Sequence, residues 1–197
     1  MSTPLPPFDL TNRDPLVVGL AAGTIVYRFH TADRGPIFFD PSRLGRLNAP
    51  DGSYGVLYAA ATRAGAFAET FLRNPGHTLL SSDFISRKAL VEIRLTRDLR
   101  LFQLHGPGLA RVGATAEITH GGLPYDAPQA WSAAIRSHPA RFDGIAYTAR
   151  HDDAEICYGL FDRAGNAIEA IGQTVDLRSA DWFFDLLDRY GVGIAPG

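Results

Sequence analysis

The fold is set by two adjoining stretches, Gly55-Val56-Leu57-Tyr58-Ala59-Ala60 and residues 62–73. The first is a short apolar run and predicts a buried strand. In the second, apolar residues recur at i, i+3, i+4, i+7 and i+8, which predicts an amphipathic helix whose buried face is Ala64, Phe67, Ala68, Phe71 and Leu72. Thr62 is the predicted N-cap, and Asn74-Pro75-Gly76 is expected to end the helix at about Arg73.

The rest of the chain mixes strands and helices without a regular βαβ alternation, which favours an α+β fold. Further strands are predicted over residues 24–30, 88–95, 99–104, 144–148 and 156–161. Helices are predicted over residues 107–112, 126–137 and 179–190, the last capped by Ser179. Residues 16–23 are expected to be a loop, and residues 31–53 form a long irregular segment of the kind that is often functional.

The composition describes one soluble domain of 197 residues, 46% hydrophobic and 20% charged, with a formal net charge of −2. This mild acidity argues against direct nucleic-acid binding, and the short apolar run from Leu16 to Tyr27 is too short to cross a membrane. The cations are 18 arginines and one lysine, Lys88, which follows Arg87, so a phosphate-binding Gly-Lys-Ser/Thr loop is excluded. Phosphate recognition by side chains would therefore fall to arginine.

Cysteine and histidine usage gives no sign of a metal site. The single cysteine, Cys157, lies in a predicted buried strand and is interpreted as an inert core residue. A single cysteine cannot form an intramolecular disulfide, which fits a cytoplasmic location. The six histidines show no metal-binding spacing. Asp152, Asp153 and Glu155 are interpreted as a solvated turn between strands, so no metal is expected.

Three residues in the central block carry the chemistry that the sequence suggests. Arg46 lies in the long loop, Tyr58 follows 12 residues later on a strand, and Glu69 a further 11 residues later on the next helix. A strand, a tight connection and a packed helix would bring Tyr58 and Glu69 together, with Glu69 at the rim of the apolar face. The alternative, an exposed Glu69–Arg73 pair at i, i+4, stays open at this point.

The chain resembles the RES-domain family, named for its Arg, Glu and Ser signature, from about Thr24 to Val192. The blocks that carry this resemblance occur in the family's order; they are Arg46 to Tyr58, Ala66 to Arg73, Trp131-Ser132, His138-Pro139, Asp143 to Tyr147, Arg150-His151-Asp152, and Leu160 to Arg163. The resemblance implies a RES domain over residues 24–197, preceded by an N-terminal arm at 1–23. It also implies a single α+β domain of mixed, mainly antiparallel sheets flanked by helices, similar to ADP-ribosyltransferase toxins.

The same resemblance implies a function. Family members are toxins of type II toxin–antitoxin pairs that break the nicotinamide–ribose bond of NAD+. They pass ADP-ribose to phosphate or water, or attach it to a protein acceptor, and their usual partner is a helix-turn-helix antitoxin. NAD+ is thus the expected substrate, and no metal is implied.

The family's arginine, tyrosine and glutamate fall on Arg46, Tyr58 and Glu69, and a further arginine expected near the NAD+ phosphates falls on Arg28. Glu69 would stabilise the positive charge that develops on the ribose, as in glycoside cleavage. The two arginines would hold the pyrophosphate, and Tyr58 would stack beside the nicotinamide. Asn48 is a weaker candidate for a contact to NAD+.

The chain departs from the family at the serine position, which is occupied by Ala149 in Thr148-Ala149-Arg150-His151. Thr148 is not an obvious substitute, because neighbouring strand residues point to opposite sides. Natural tolerance, an engineered attenuation and a naturally weakened enzyme are all compatible with this change. A catalytically weakened NAD+-binding module is therefore the alternative function.

Overall fold

The computed structural model of the protein describes residues 3–74 and 76–196. Within these residues the chain forms ten strands: β1 (Val17–Leu20), β2 (Ile25–Thr31), β3 (Val56–Ala60), β4 (Leu79–Leu80), β5 (Lys88–Leu95), β6 (Leu99–Gln103), β7 (Gly144–Ala149), β8 (Asp152–Phe161), β9 (Ile168–Thr174) and β10 (Gly193–Ile194). It also forms six α-helices: α1 (Arg63–Phe71), α2 (Ser82–Ser86), α3 (Pro107–Val112), α4 (Glu117–His120), α5 (Asp126–Arg136) and α6 (Asp181–Arg189). Short 3-10 helices cover Leu10–Asn12, Asp162–Ala167 and Leu177–Ser179.

Eight strands form one sheet in the order β1-β6-β7-β8-β3-β2-β5-β9, and β4 and β10 form a small separate pair. Every neighbouring pair of the large sheet is antiparallel except β6–β7, which is parallel. The predicted α+β class with a mixed, mainly antiparallel sheet is therefore confirmed. None of the described helices has the length and apolar character needed to cross a membrane.

The sheet has two apolar faces, and all six helices pack on one of them. The helix-covered face contains Ile145, Tyr147 and Ala149 of β7, whereas Ala146 belongs to the opposite layer. That opposite layer is built almost entirely from strand residues, because alternate side chains of each strand point to opposite faces. The alternation therefore determines which residues of β7 share a side with Tyr147.

Helix α1 forms as its sequence predicts. The Thr62 hydroxyl accepts a hydrogen bond from the Gly65 backbone N–H at 3.0 Å, which confirms the N-cap. A Cβ at Gly65 would lie 3.1 Å from the Ala60 Cβ, so the glycine permits close packing of the helix on β3. Phe67 is completely buried and stacks on Tyr190, with ring centroids 5.4 Å apart. The helix ends at Phe71, two residues before the predicted end.

Several boundaries differ from prediction. Residues 17–20, predicted to be a loop, form β1, which pairs with β6 and places part of the predicted arm within the sheet. Ser179 does not cap the last helix, because it ends a 3-10 turn and Ala180 precedes α6 instead. Strand β8 begins at Asp152, so the expected polar connection shrinks to the two-residue turn Arg150-His151.

The buried tryptophan links the N-terminal segment to the domain. Trp131 is completely buried in the core, and its indole N–H donates to the Pro4 carbonyl at 2.8 Å. The polar end of the indole therefore has a partner, as buried tryptophan requires. This contact holds residues near Pro4 against α5.

The pairing between β2 and β3 positions the functional site. Strand β2 pairs along seven residues with β5, and β3 along five residues with β8. Within the described chain, β2 and β3 pair with each other only at Tyr27 and Ala60. The two strands therefore diverge beyond this point and leave an opening in the sheet.

Replacing Phe67 with alanine is expected to lower the free energy of unfolding by about 3–5 kcal/mol, because it leaves a cavity between α1 and α6. Urea denaturation followed by circular dichroism would measure this loss. Phe8→Ala is the matched control, since the Phe8 side chain is fully exposed. Equal stability of the two variants would contradict the packing described for α1.

Candidate functional site

A cleft of about 640 Å³ lies where β2 and β3 diverge. Its walls come from both strands, the long loop after β2, helix α1 and the Arg150-His151 turn. Six cationic side chains line it, namely Arg28, Arg34, Arg46, Arg73, Lys88 and Arg150. Two carboxylates, Asp40 and Glu69, also line it. This excess of positive charge favours an anionic ligand.

Of the predicted site residues, the structure brings Arg28, Arg46, Tyr58 and Glu69 to this cleft. Helix α1 follows β3 after only Ala61 and Thr62, so it runs back along the strand and returns Glu69 towards Tyr58. Both side chains line the same cleft. The predicted proximity of these two residues is therefore present.

Glu69 is half-buried and held from two sides. One carboxylate oxygen, Oε1, accepts a hydrogen bond from the Arg150 backbone N–H at 3.0 Å. The other, Oε2, accepts from the Tyr147 hydroxyl at 3.3 Å. Burial and the charge of Glu69 raise the pKa of Tyr147 well above its ordinary value, so this hydroxyl keeps the proton that it donates. The carboxylate is thus fixed in orientation while it faces the cleft.

The alternative of an exposed Glu69–Arg73 side-chain pair is not found. Arg73 instead donates from Nε to the Glu69 backbone carbonyl at 2.8 Å. No ion pair joins the two side chains in the part of the chain that the structure describes. The Glu69 carboxylate is therefore available to a ligand.

Tyr58 organises the loop that carries Arg46. Its hydroxyl accepts from the Leu47 backbone N–H at 2.8 Å and donates to Asn48 Oδ1 at 2.9 Å. Burial raises the pKa of Tyr58, so the hydroxyl stays neutral and can serve as donor and acceptor. Since the hydroxyl is occupied by the loop, only the ring of Tyr58 remains for a ligand.

Asn48 lies behind the cleft and is completely buried. Its amide nitrogen donates to Asp40 Oδ2 at 3.0 Å and to the Ser42 carbonyl at 2.7 Å. With Tyr58 bound to its amide oxygen, every group of the amide has a protein partner. Asn48 therefore fixes the shape of the loop and offers no free donor for the direct contact that the sequence suggested.

The two arginines predicted to bind phosphate, Arg28 and Arg46, both line the cleft. Arg28 Nη1 donates to the Tyr58 backbone carbonyl at 2.9 Å, across the opening between β2 and β3. Burial lowers the pKa of Arg28, and the nearby Asp40 carboxylate opposes that shift. The Arg46 guanidinium lies over the Tyr125 ring, 5.6 Å from its centroid. The Nε atoms of both arginines are buried without a hydrogen-bond partner, and neither guanidinium forms an ion pair with the described residues.

Ala149 also lies behind the cleft surface. It is completely buried, on the same face of β7 as Tyr147. Thr148 lines a different cleft, as the alternation along a strand requires. Thr148 therefore does not replace the missing serine hydroxyl in the first cleft.

A second cleft of about 900 Å³ adjoins the first. Its lining includes three histidines, His105, His120 and His151. Arg150 and His151 line both clefts, so their turn forms the wall between them. Burial lowers the pKa of His105 and is the main cause of a lowered pKa of His151, which favours neutral rings.

The acidic residues after this turn have structural partners. Asp152 and Glu155 both form ion pairs with Arg189, at 3.1 and 3.0 Å, and the Tyr190 hydroxyl donates to Asp152 at 2.8 Å. Across residues 3–74 and 76–196, no group of three or more histidine, cysteine or acidic side chains is arranged to hold a metal ion. Cys157 is buried, and burial raises the pKa of its thiol, so the thiolate form is suppressed.

Some residues of the site were not singled out from the sequence. Tyr147 and the Arg150 backbone N–H hold Glu69, and Arg34, Arg73 and Lys88 add positive charge to the cleft. The sequence marks Tyr147 only as part of a strand motif, and a tyrosine two residues from the end of a buried strand is the signal that could identify it. The three cations carry no local signal, since their proximity arises from tertiary structure.

Comparison with known proteins gives two matches. A family model described as RES domain matches residues 25–182. The chain is also similar to a chain in the crystal structure of the M. tuberculosis MbcT–MbcA toxin–antitoxin complex. The TM-score is 0.63 at 15% sequence identity, covering 79% of this chain and 85% of that chain. No curated protein matches the sequence significantly. At this identity the structural similarity shows a shared fold.

Replacing Tyr58 with phenylalanine is expected to lower the free energy of unfolding by about 1–3 kcal/mol, because the Leu47 N–H loses its partner in a buried setting. Denaturant unfolding would measure the change. Tyr27→Phe is the control, since among the described residues the Tyr27 hydroxyl has no recorded hydrogen bond. If both variants were as stable as the parent protein, the hydroxyl would not be holding the loop.

Proposed function

The chain belongs to the RES domain family, and from this premise we propose that it is the toxin of a type II toxin–antitoxin pair that cleaves the nicotinamide–ribose bond of NAD+. The observation that carries the proposal is the Glu69 carboxylate, fixed by two donors in a cleft rich in cations. The cleft volume of about 640 Å³ lies within the range typical of small-molecule and cofactor sites.

Glu69 is proposed to act on the sugar. When the C1′–N1 bond breaks, nicotinamide leaves as a neutral molecule with the bonding electron pair, so no general acid is needed. Positive charge then develops on the ribose carbon and ring oxygen, as in glycoside cleavage. A preoriented carboxylate stabilises this charge without having to reorganise during the reaction. The Tyr147 and Arg150 hydrogen bonds supply that orientation.

Arg28 and Arg46 are proposed to hold the pyrophosphate. Both line the cleft and form no ion pair with the described residues, and charge-assisted hydrogen bonds from guanidinium to phosphate are strong. Burial also weakens the competition from water for these donors. The Tyr58 ring, whose hydroxyl is occupied, is proposed to contact the cationic nicotinamide through its face.

Asn48 is proposed to support binding indirectly. Through Asp40 and the Ser42 carbonyl it fixes the loop that presents Arg46. A loop held in its binding conformation before the ligand arrives loses less conformational entropy on binding. The role proposed for Asn48 is therefore that of a positioning residue.

Phosphate or water is the proposed acceptor of ADP-ribose. Phosphate would add through one of its oxygens to give ADP-ribose 1″-phosphate, whereas water would add through its oxygen and lose a proton. Transfer to a protein is the alternative within the same class. Incubation with NAD+ in the presence and absence of phosphate, with chromatography of the products and a search for modified protein, separates these outcomes.

A helix-turn-helix antitoxin is the proposed partner. The family resemblance supports it, and the similar solved structure is a toxin–antitoxin complex. Two exposed apolar side chains of the long loop, Phe38 and Leu44, lie at the cleft and would be covered by a protein bound over it. A cytoplasmic setting follows from this role, since both NAD+ and the antitoxin are intracellular.

Replacing Glu69 with glutamine is expected to lower kcat for NAD+ consumption by about 10²–10³, because it removes the negative charge that stabilises the transition state. The Kd for NAD+ should change much less, since the phosphate contacts remain. Nicotinamide release and calorimetry measure the two quantities. Glu117→Gln is the matched control, because Glu117 is exposed and lies outside both clefts. Absence of NAD+ loss and of protein modification by the parent protein would refute the proposal.

The weakened binding module remains a second candidate because Ala149 stands at the family's serine position. Glu69 already has two donors without a serine, so Ala149→Ser is expected to raise kcat only about 2- to 10-fold, the value of one added hydrogen bond. Nicotinamide release from both forms measures the effect. NAD+ binding without turnover in either form would favour the binding module.

A further inference from the structure

We propose that the cleft contains a second anion subsite, formed by Arg34, Arg73 and Lys88, that binds a phosphate dianion. This inference rests on the proposed function in one respect, because it assigns the pyrophosphate to Arg28 and Arg46. The subsite lies where the Lys88 end of the β2–β5 pair meets Arg73, which follows α1.

Lys88 and Arg34 lie at the same end of the β2–β5 pair. Lys88 begins β5 and stands directly opposite Thr31, the last residue of β2. Arg34 follows in a turn, where its backbone N–H donates to the Thr31 carbonyl at 3.0 Å. The strand register therefore brings the two cations to one place, although they are 54 residues apart in the sequence.

Arg73 reaches this place from the end of α1. Phe71, the last residue of α1, packs against Phe29 of β2 and Phe84 of α2, with ring centroids 5.0 and 5.6 Å apart. The Lys88 ammonium lies 5.1 Å from the Phe84 ring centroid. This aromatic cluster connects α1, α2 and β2 beside Lys88, and the three cations all line the cleft.

The charges of the three cations are not neutralised by the protein. None of them forms an ion pair within residues 3–74 and 76–196. Burial is the main cause of the lowered pKa of Lys88, and the positive charges of Arg73, Arg28, Arg87 and Arg34 lower it further. A half-buried lysine surrounded by cations is electrostatically unfavourable until an anion binds.

The two carboxylates of the cleft do not relieve this repulsion. Asp40 is bound by the Ser42 hydroxyl and the Asn48 amide, and Glu69 by Tyr147 and the Arg150 backbone. Six cations against two carboxylates leave a surplus of four positive charges in the cleft. The pyrophosphate of NAD+ carries two negative charges, so cationic capacity remains after it is bound.

A phosphate dianion fits this remaining capacity. It presents three acceptor oxygens, which suit two arginine forks and the point charge of a lysine ammonium. Such a group has two possible sources, the 2′-phosphate of a phosphorylated dinucleotide and free inorganic phosphate. The first would extend the substrate class to NADP+, and the second would place an acceptor near the cleaved bond.

The two sources are separated by calorimetry on the Glu69→Gln protein. One arm compares the Kd of ADP-ribose with that of 2′-phospho-ADP-ribose. The other arm titrates inorganic phosphate into protein saturated with ADP-ribose, so that the pyrophosphate position is already filled. Both arms are repeated with Lys88→Gln and with Arg34→Gln, and circular dichroism verifies the fold of each variant. Arg178→Gln is the charge-matched control, because Arg178 lies outside both clefts.

In one of the two arms, each cleft variant is expected to weaken binding of the added phosphate about tenfold, the value of one charge-assisted hydrogen bond. ADP-ribose affinity should change less than about twofold, and Arg178→Gln should match the parent.

If neither arm responds to Lys88→Gln or Arg34→Gln, the subsite is refuted. If a phosphate arm responds while the parent protein does not consume NAD+, the proposed function fails and the subsite stands. Should ADP-ribose not bind, phosphate titrated into the unliganded protein gives the same readout.

Discussion

Tyr58 on β3 contacts both β2, through Arg28, and the long loop, through Leu47 and Asn48. These contacts hold the three segments together where β2 and β3 diverge. The Tyr58 backbone carbonyl accepts from Arg28 on the far side of the opening, and its hydroxyl ties down Leu47 and Asn48 in the long loop. The opening removes backbone hydrogen bonds that a continuous sheet would make, and the Arg28 guanidinium satisfies one of the exposed acceptors. One side chain and one carbonyl thus hold the cleft at a fixed width and keep Arg46 at its wall.

The cleft combines structural rigidity with electrostatic imbalance. Glu69, Asp40 and Asn48 have well-defined partners within the protein, whereas the six cleft cations form no ion pair with the described residues. Placing several cations together with few anions lowers the stability of the empty protein, and a bound anion recovers that free energy. Strain of this electrostatic kind is typical of sites that are selected for binding rather than for stability.

Much of this architecture could be predicted from local sequence. Helix α1 was predicted because its apolar period, its Thr62 cap and its Asn74-Pro75-Gly76 terminator all agree. The proximity of Tyr58 and Glu69 follows from the short connection between β3 and α1. Strand β1 was missed because four residues interrupted by Gly19 give a weak pattern, and only pairing with the distant β6 makes them a strand.

The limits of sequence reasoning are clearest in the cleft itself. The point at which β2 and β3 stop pairing depends on how both strands pack on the helices, and no local signal marks it. The Asn48 assignment shows the same limit, since an amide in a loop looks available until its neighbours are known. The resemblance identified which residue types matter, while tertiary contacts decide whether each faces a ligand or supports the loop.

The turn Arg150-His151 has a consequence for communication between the clefts. Its Arg150 backbone N–H orients Glu69 in the first cleft, while both of its residues also line the second. It is anchored from behind by Asp152, which is bound by Arg189 and Tyr190 at the end of α6. A molecule that binds in the second cleft and depends on the position of this turn is therefore thermodynamically linked to the orientation of the Glu69 carboxylate. By reciprocity, a ligand at Glu69 alters the affinity of the second cleft for that molecule to the same degree.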